Sequence, residues 1–301
     1  MPRPHGRTFV VTGGSSGLGR ATAERLSRMR ANVVAVVRRE DEVREVRAAI
    51  AGATGRGTVE VVAGDLSSRT SVEEVGREIR ERFPEIHGLL HCAGVRLPDR
   101  RLGPDHTEVM FAVEYLAPFL LTRCLIDPLA AGAPSRVVVV AGEEHRKGFR
   151  APRGLDLKNL QGERQFSVLA HGKHLALARI LFVQELGRRL EGTGIGVLAV
   201  APGPTRTSLL RHYPWHLQML ERASLLVRGA QAPEEAADHL LHAATDPELA
   251  GVSGKYLLEG REVVPSPAAR DPEMARKLWE LTEELLGERF VGEDLPDGEP
   301  S

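Results

Sequence analysis

Two cysteines in 301 residues are too few for a disulfide framework. Cys92 falls at the end of a strand-like run and Cys124 in an apolar helical stretch, so both are expected to be buried, inert thiols. There is no charge excess of either sign. Lys plus Arg (40) almost cancels Asp plus Glu (41), leaving a net charge of −1, and no whole-chain field draws a nucleic acid or a membrane surface. No apolar run approaches the roughly 20 residues that cross a bilayer, and Met1–Gly6 carries no apolar core of a signal peptide, so a cytoplasmic protein is expected. No repeat at solenoid period occurs, and no spaced His/Cys/Asp cluster suggests a metal.

What remains is an alternation of strand and helix patterns. Thr8–Thr12, Ala31–Val37, Val59–Ala63, Gly88–His91, Arg136–Ala141 and Gly196–Ala201 read as strands. Their near-continuous Val, Ile, Leu and Ala suit a sheet covered on both faces. Between them lie helical stretches at Leu18–Arg30, Asp41–Ile50, Ser71–Phe83, Thr107–Ala130 and Val168–Glu191. Such alternation implies an α/β, doubly wound parallel sheet of Rossmann type. Residues 1–291 are read as one domain. A last amphipathic helix opens at Asp271-Pro272, with Met274, Leu278, Leu281 and Leu285 on one face, and stops at Gly287. The acidic tail 292–301 is expected to be disordered.

The first strand runs into Thr12-Gly13-Gly14-Ser15-Ser16-Gly17-Leu18-Gly19, and a helix follows at once. Strand, glycine loop and helix in that order let a backbone approach a pyrophosphate at the helix N-terminus. Where NAD-specific sites place an acid after the second strand, this chain has Arg38-Arg39. A guanidinium there can pair with a ribose 2′-phosphate, so NADP(H) is expected in preference to NAD(H). The competing reading makes both arginines surface charges at a helix start.

The loop resembles that of the short-chain dehydrogenase/reductase family, in particular its retinol-dehydrogenase-like branch, and the resemblance covers almost the whole chain. It implies that Asp65-Leu66 contacts the adenine and that His91-Cys92-Ala93-Gly94 stands in the family's Asn-Asn-Ala-Gly turn, which puts Ala93 and Gly94 on the cofactor. It also lays Pro202-Gly203-Pro204-Thr205-Arg206-Thr207 along the nicotinamide. Gly251 to Tyr256 and Lys277-Leu278-Trp279 resemble the retinol-dehydrogenase branch. The family's lysine matches Lys173, but its tyrosine falls on Leu169, its serine on Gly142 and its asparagine on Glu114. No tyrosine lies between Tyr115 and Tyr213 to repair this by a change of register. Loss of a general acid forfeits about 10²–10⁴ in rate.

Candidate substitutes are Glu114, His145, His171, Tyr115 and Tyr213. Glu114, on an apolar helix, requires either a salt bridge, for instance to Lys173, or a role in proton transfer. The segment Leu209–Val227, with Tyr213, Trp215, Leu217, Met219 and Leu220, resembles a substrate lid and could wall an apolar pocket or simply pack in the core. Three functions are compatible: a divergent enzyme acting on a hydrophobic small molecule, an NADP(H)-binding sensor or inactive subunit, and a relic without cofactor. The intact glycine loop and Lys173 speak against the relic. The resemblance further implies a homodimer or homotetramer, to which the apolar Leu175–Val183 could contribute, or which it could leave alone as core.

Overall fold

The apolar runs do form one central sheet in the computed structural model, which describes residues 4–52, 57–146, 154–206, 209, 212–227 and 229–290. The strands are β1 (Thr8–Thr12), β2 (Asn32–Val37), β3 (Val59–Ala63), β4 (Gly88–His91), β5 (Ser135–Val140), β6 (Ile195–Ala201), β7 (Lys255–Leu258) and β8 (Arg261–Glu262). Their order is β3-β2-β1-β4-β5-β6-β7-β8, parallel throughout except for the short β8, which turns back on β7. The order reverses between β1 and β4, and in open α/β sheets a ligand crevice opens at such a switch point, beyond the strands' carboxyl ends. Val10, Val11, Val34, Leu89, Leu90, Val138 and Leu198 are fully buried, as strands covered on both faces require.

Helices α1 (Gly17–Arg28), α2 (Val43–Gly52) and α9 (Pro233–Thr245) cover one face. The other face carries α3 (Arg69–Arg82), α4 (Val109–Phe111), α5 (Ala117–Cys124), α6 (Ile126–Ala131), α7 (Val168–Arg189) and α10 (Pro272–Leu286). The helix α8 (Trp215–Val227) lies between β6 and α9.

The single helix expected over Thr107–Ala130 is broken. Glu108 caps α4 by accepting from Met110 N and Phe111 N, a π-helical turn spans Ala112–Leu116, and α5 and α6 follow separately. Pro118 cannot donate to the Glu114 carbonyl and its ring crowds that group, which favours the wider turn. At the other end α10 forms as expected: Asp271 accepts from Glu273 N and Met274 N, Pro272 occupies the first turn, and Gly287 closes the helix at φ +66°. The tail 292–301 lies outside the described residues. Among the described residues, no helix is long and apolar enough to cross a membrane.

Candidate active site

The glycine loop is built by close approach. Thr12 Oγ1 accepts from Cys92 N at 3.0 Å and Ala93 N at 3.1 Å, tying the end of β1 to the turn after β4. Gly13 takes φ +73°, and a Cβ there would lie 3.0 Å from Ala93 Cα. A Cβ on Gly19 would collide with the Gly13 carbonyl, so α1 can start this close to β1 only with glycine at both places. Ser16 is extended and makes no side-chain cap, so no side chain closes the N-terminal end at Gly17, Leu18 and Gly19. Ser15 beside it is half-buried.

Around this loop stand the other expected contacts. Arg38, just past β2, is exposed and makes no ion pair among the described residues, whereas Arg39 is held by Asp41 at 2.8 Å. Asp65 Oδ1 accepts from Ser67 N and Oγ at 2.9 and 2.8 Å, which fixes the turn that carries Leu66. Ala93 and Gly94 follow β4, and Pro202 and Gly203 follow β6 on the same edge of the sheet. Thr205 Oγ1 donates to the Gly203 carbonyl at 3.0 Å. Thr207 lies outside the described residues. An open helix end, an unpaired Arg38 and the half-buried Lys173, which makes no hydrogen bond or ion pair among the described residues, are groups that fit a phosphorylated dinucleotide.

Glu114 sits in the π turn and is 1% exposed. Its partner is not Lys173. Oε1 accepts from Val95 N at 3.1 Å and from Arg96 Nη1, and Oε2 accepts from Arg179 Nη1 at 2.7 Å. Lys173 is one helical turn and a half above Arg179 on α7, and the guanidinium, not the ammonium, reaches down to the carboxylate. Burial pushes the Arg179 pKa below its ordinary value, with Glu114 opposing that shift. Arginine remains a cation even so. With both oxygens engaged by charged donors, Glu114 satisfies the buried-charge rule as a structural ion pair.

The remaining candidates separate. His145 is fully buried, with Nδ1 2.9 Å from Ser266 Oγ and its ring edge-on to Tyr256 at 5.2 Å. Burial pulls its pKa down to about 4. His171 is also buried, with Nε2 2.8 Å from Glu108 Oε2, so it braces the cap of α4. Tyr115 is buried and bonded to Thr282 Oγ1 at 2.9 Å. Tyr213 is half-buried near Arg96 and Asp99, and burial raises its pKa. Of the proton-transfer candidates, Glu114 and Tyr213 are both brought beside Arg96, whereas His145 and His171 are taken up by Ser266 and Glu108. Leu169 is 78% exposed. A Cβ on Gly142 would collide with the exposed Glu144 carboxylate, which fills the space beside that glycine. On α8, Trp215, Met219 and Leu220 are exposed and are not core.

Sequence reading missed Arg96, Glu108, Glu144 and Arg179. Arg179 carried a signal, being the lone charge within the apolar Leu175–Val183. The others become visible only once β4, the π turn and α7 are brought together.

Comparison with known proteins agrees with this geometry. The family model described as short chain dehydrogenase matches residues 7–151. Retinol dehydrogenase 14 of Homo sapiens is 36% identical over 299 residues, covering 94% of this chain and 87% of the relative. A solved structure of an uncharacterized protein from Mycobacterium Paratuberculosis is 27% identical, covers 97% of both chains and superposes with a TM-score of 0.74. A 3-oxoacyl (acyl-carrier-protein) reductase from agrobacterium tumefaciens C58, solved with NADP bound, shares the fold at a TM-score of 0.66 and 22% identity, over 85% of this chain and 94% of that one.

Proposed function

Because the chain belongs to the short-chain dehydrogenase/reductase family, we propose that it binds NADP(H) and uses it as a divergent, intracellular enzyme on a hydrophobic small molecule. The observation that carries the cofactor reading is Arg38. It is exposed and unpaired among the described residues at the end of β2, while its neighbour Arg39 is neutralised by Asp41. Gly13, Ser15, Ser16, Gly17, Leu18 and Gly19 would hold the pyrophosphate, Asp65 and Leu66 the adenine end, and Ala93, Gly94, Lys173, Pro202, Gly203, Thr205 and Thr207 the nicotinamide half. When bound, the cofactor supplies or accepts a hydride. The protein's share is orientation, since Lys173 and the fixed ends of β4 and β6 set where a ligand can lie.

The proton side of the chemistry is altered. Leu169 occupies the place of the family's tyrosine and has no proton to exchange, and the carboxylate of Glu144 stands by the serine's place at Gly142. Tyr213, near Arg96, is the phenol closest to the altered positions that is not already tied into the core. These replacements favour a second reading, a non-catalytic NADP(H)-binding subunit.

Titration of NADPH fluorescence against NADH tests the cofactor reading, with NADPH binding at least about tenfold tighter and Arg38→Asp reversing the order. Equal affinities, or no change in Arg38→Asp, would contradict it. Turnover of an aldehyde and ketone panel then separates the two functional readings. The triple variant Leu169→Tyr, Gly142→Ser, Glu144→Ala is expected to gain carbonyl reduction by about 10²-fold or more.

A further inference from the structure

Along α7, Leu169, Gly172, Ala176 and Arg179 fall on one stripe of the helix, with Lys173 to one side of it. Arg96, two residues past the turn that ends at Gly94, lies across this stripe. A Cβ on Gly172 would sit 3.5 Å from Arg96 Nε and 3.7 Å from its Cζ and Nη2. A Cβ would meet the guanidinium at ordinary van der Waals contact, so the group lies against the helix at Gly172 and only a side chain longer than Cβ would displace it. Only one nitrogen of that group is in use: Nη1 donates to Glu114 and, at 3.2 Å, to the Val95 carbonyl. Nε and Nη2 have no hydrogen-bond partner among the described residues and stay open to solvent, on a side chain that is 14% exposed.

Nε and Nη2 together form one edge of the guanidinium fork, the edge that matches the two oxygens of a carboxylate. Glu114 neutralises the buried Arg179 and one end of Arg96, Glu144 lies near Arg179, and Asp99 stands with Arg96 near Tyr213, so the match rests on the shape of the free edge and not on an excess of charge. Apolar surface adjoins that edge. Leu169 is 78% exposed, and Leu209 comes within 3.9 Å of the place a Gly94 Cβ would take. Arginine does not give up its proton, so this group is suited to binding an anion and not to acid catalysis.

We propose that Arg96 forms a subsite for the carboxylate of an amphipathic small molecule whose apolar body lies against Leu169, Leu209 and Tyr213. The proposal rests on the reading that the cleft takes NADP(H) and a small-molecule ligand, and it specifies the class of that ligand. Glu114 and Arg179 act on it indirectly, since they fix Nη1 and so aim the free edge.

The test uses octanoate and 1-octanol, which share a chain and differ at the head group. Calorimetric titrations are made on the full chain with and without saturating NADP⁺, and NADP⁺ affinity is measured separately. Octanoate is expected to bind at least about tenfold tighter than octanol. Arg96→Met is expected to erase that ratio while leaving NADP⁺ affinity unchanged, and Arg96→Lys to keep part of it. Gly172→Leu should erase it too, because its side chain displaces the guanidinium while every charge is kept. Octanoate that fails to bind at about 10 mM, or binds no tighter than octanol, overturns the proposal, as does a ratio that survives in folded Arg96→Met or Gly172→Leu. If neither variant folds, the wild-type ratio decides. Loss of NADP⁺ binding with the octanoate preference intact would remove the cofactor reading and leave this subsite standing. NADP⁺ binding without the preference would do the reverse.

Discussion

Glu114 is a residue whose cost and use are set by its partners. Two guanidiniums and one backbone N–H converge on a carboxylate that is 1% exposed. Glu114→Gln keeps the shape but leaves Arg96 and Arg179 facing a neutral amide. Removing one member of such a buried pair costs about 3–5 kcal/mol, so a chemical melt should show a loss of that order. A loss under about 1 kcal/mol would mean that water already shares the site. Buried histidine gives a second residue-level prediction. His91, 2.9 Å from Thr122 Oγ1, has its pKa pulled down to about 3 by burial, while in the unfolded chain it titrates near 6.5. Between those values the unfolded state binds the extra proton, so stability falls as pH is lowered through that window, by up to about 1.4 kcal/mol per pH unit. His145, pulled down to about 4, adds a smaller contribution of the same sign. Unfolding midpoints should therefore drop between about pH 6.5 and pH 5, and His91→Asn should flatten part of that slope. An unchanged slope in His91→Asn would contradict the assignment.

At the scale of elements, the glycine loop shows why parts of this molecule could be read in advance. Thr12-Gly13 and Gly17-Leu18-Gly19 are dictated by local geometry, a positive φ at Gly13 and an approach at Gly19 that excludes any Cβ. Backbone demands of that kind leave a spacing in the sequence. Thr12→Val would leave Cys92 N and Ala93 N without their acceptor, at a cost of about 1–3 kcal/mol, with weaker NADPH binding as β4 loosens from β1. Unchanged stability and affinity would show that the two N–H groups find other partners. The break between α4 and α6 was not read because the apolar pattern runs on through Pro118 and Pro128, and periodicity alone hides a π turn. The helix α9 and the short pair β7–β8 went unread because an alanine-rich helix and strands of four and two residues give little periodic signal. The candidate site divides in the same way. Arg38 follows from its place after the second strand and Lys173 from the family resemblance, whereas Arg96, Glu144 and the partners of Glu114 depend on contacts between elements far apart in the chain.

Over the whole molecule, α10 decides what the face of α5 and α7 can do. The apolar stretch Leu175–Val183, open in sequence to either core or subunit contact, is buried within the single chain. Trp279 of α10 is 1% exposed and packs its ring 4.8 Å from Phe119 and Phe290 and 6.0 Å from Phe182, with the Arg189 guanidinium 4.5 Å over it. Thr282 holds Tyr115, and Arg69 bridges to the Leu286 carbonyl and to Glu288 at the helix's far end. A helix fastened at both ends and at its centre covers the face of α5 and α7 within the chain. Trp279→Ala should cost about 3–5 kcal/mol, the usual range for emptying a large aromatic site. A chain ended after Arg270 should do more, since Phe119, Phe182 and Leu175 lose their cover together and a contiguous apolar patch of that size seeks a partner. Light scattering on the shortened chain is expected to give a larger mass per particle than the intact protein at equal concentration, with a lower melting temperature. Equal mass and equal melting would mean that α10 is an accessory to this face and that α5 and α7 complete their packing without it.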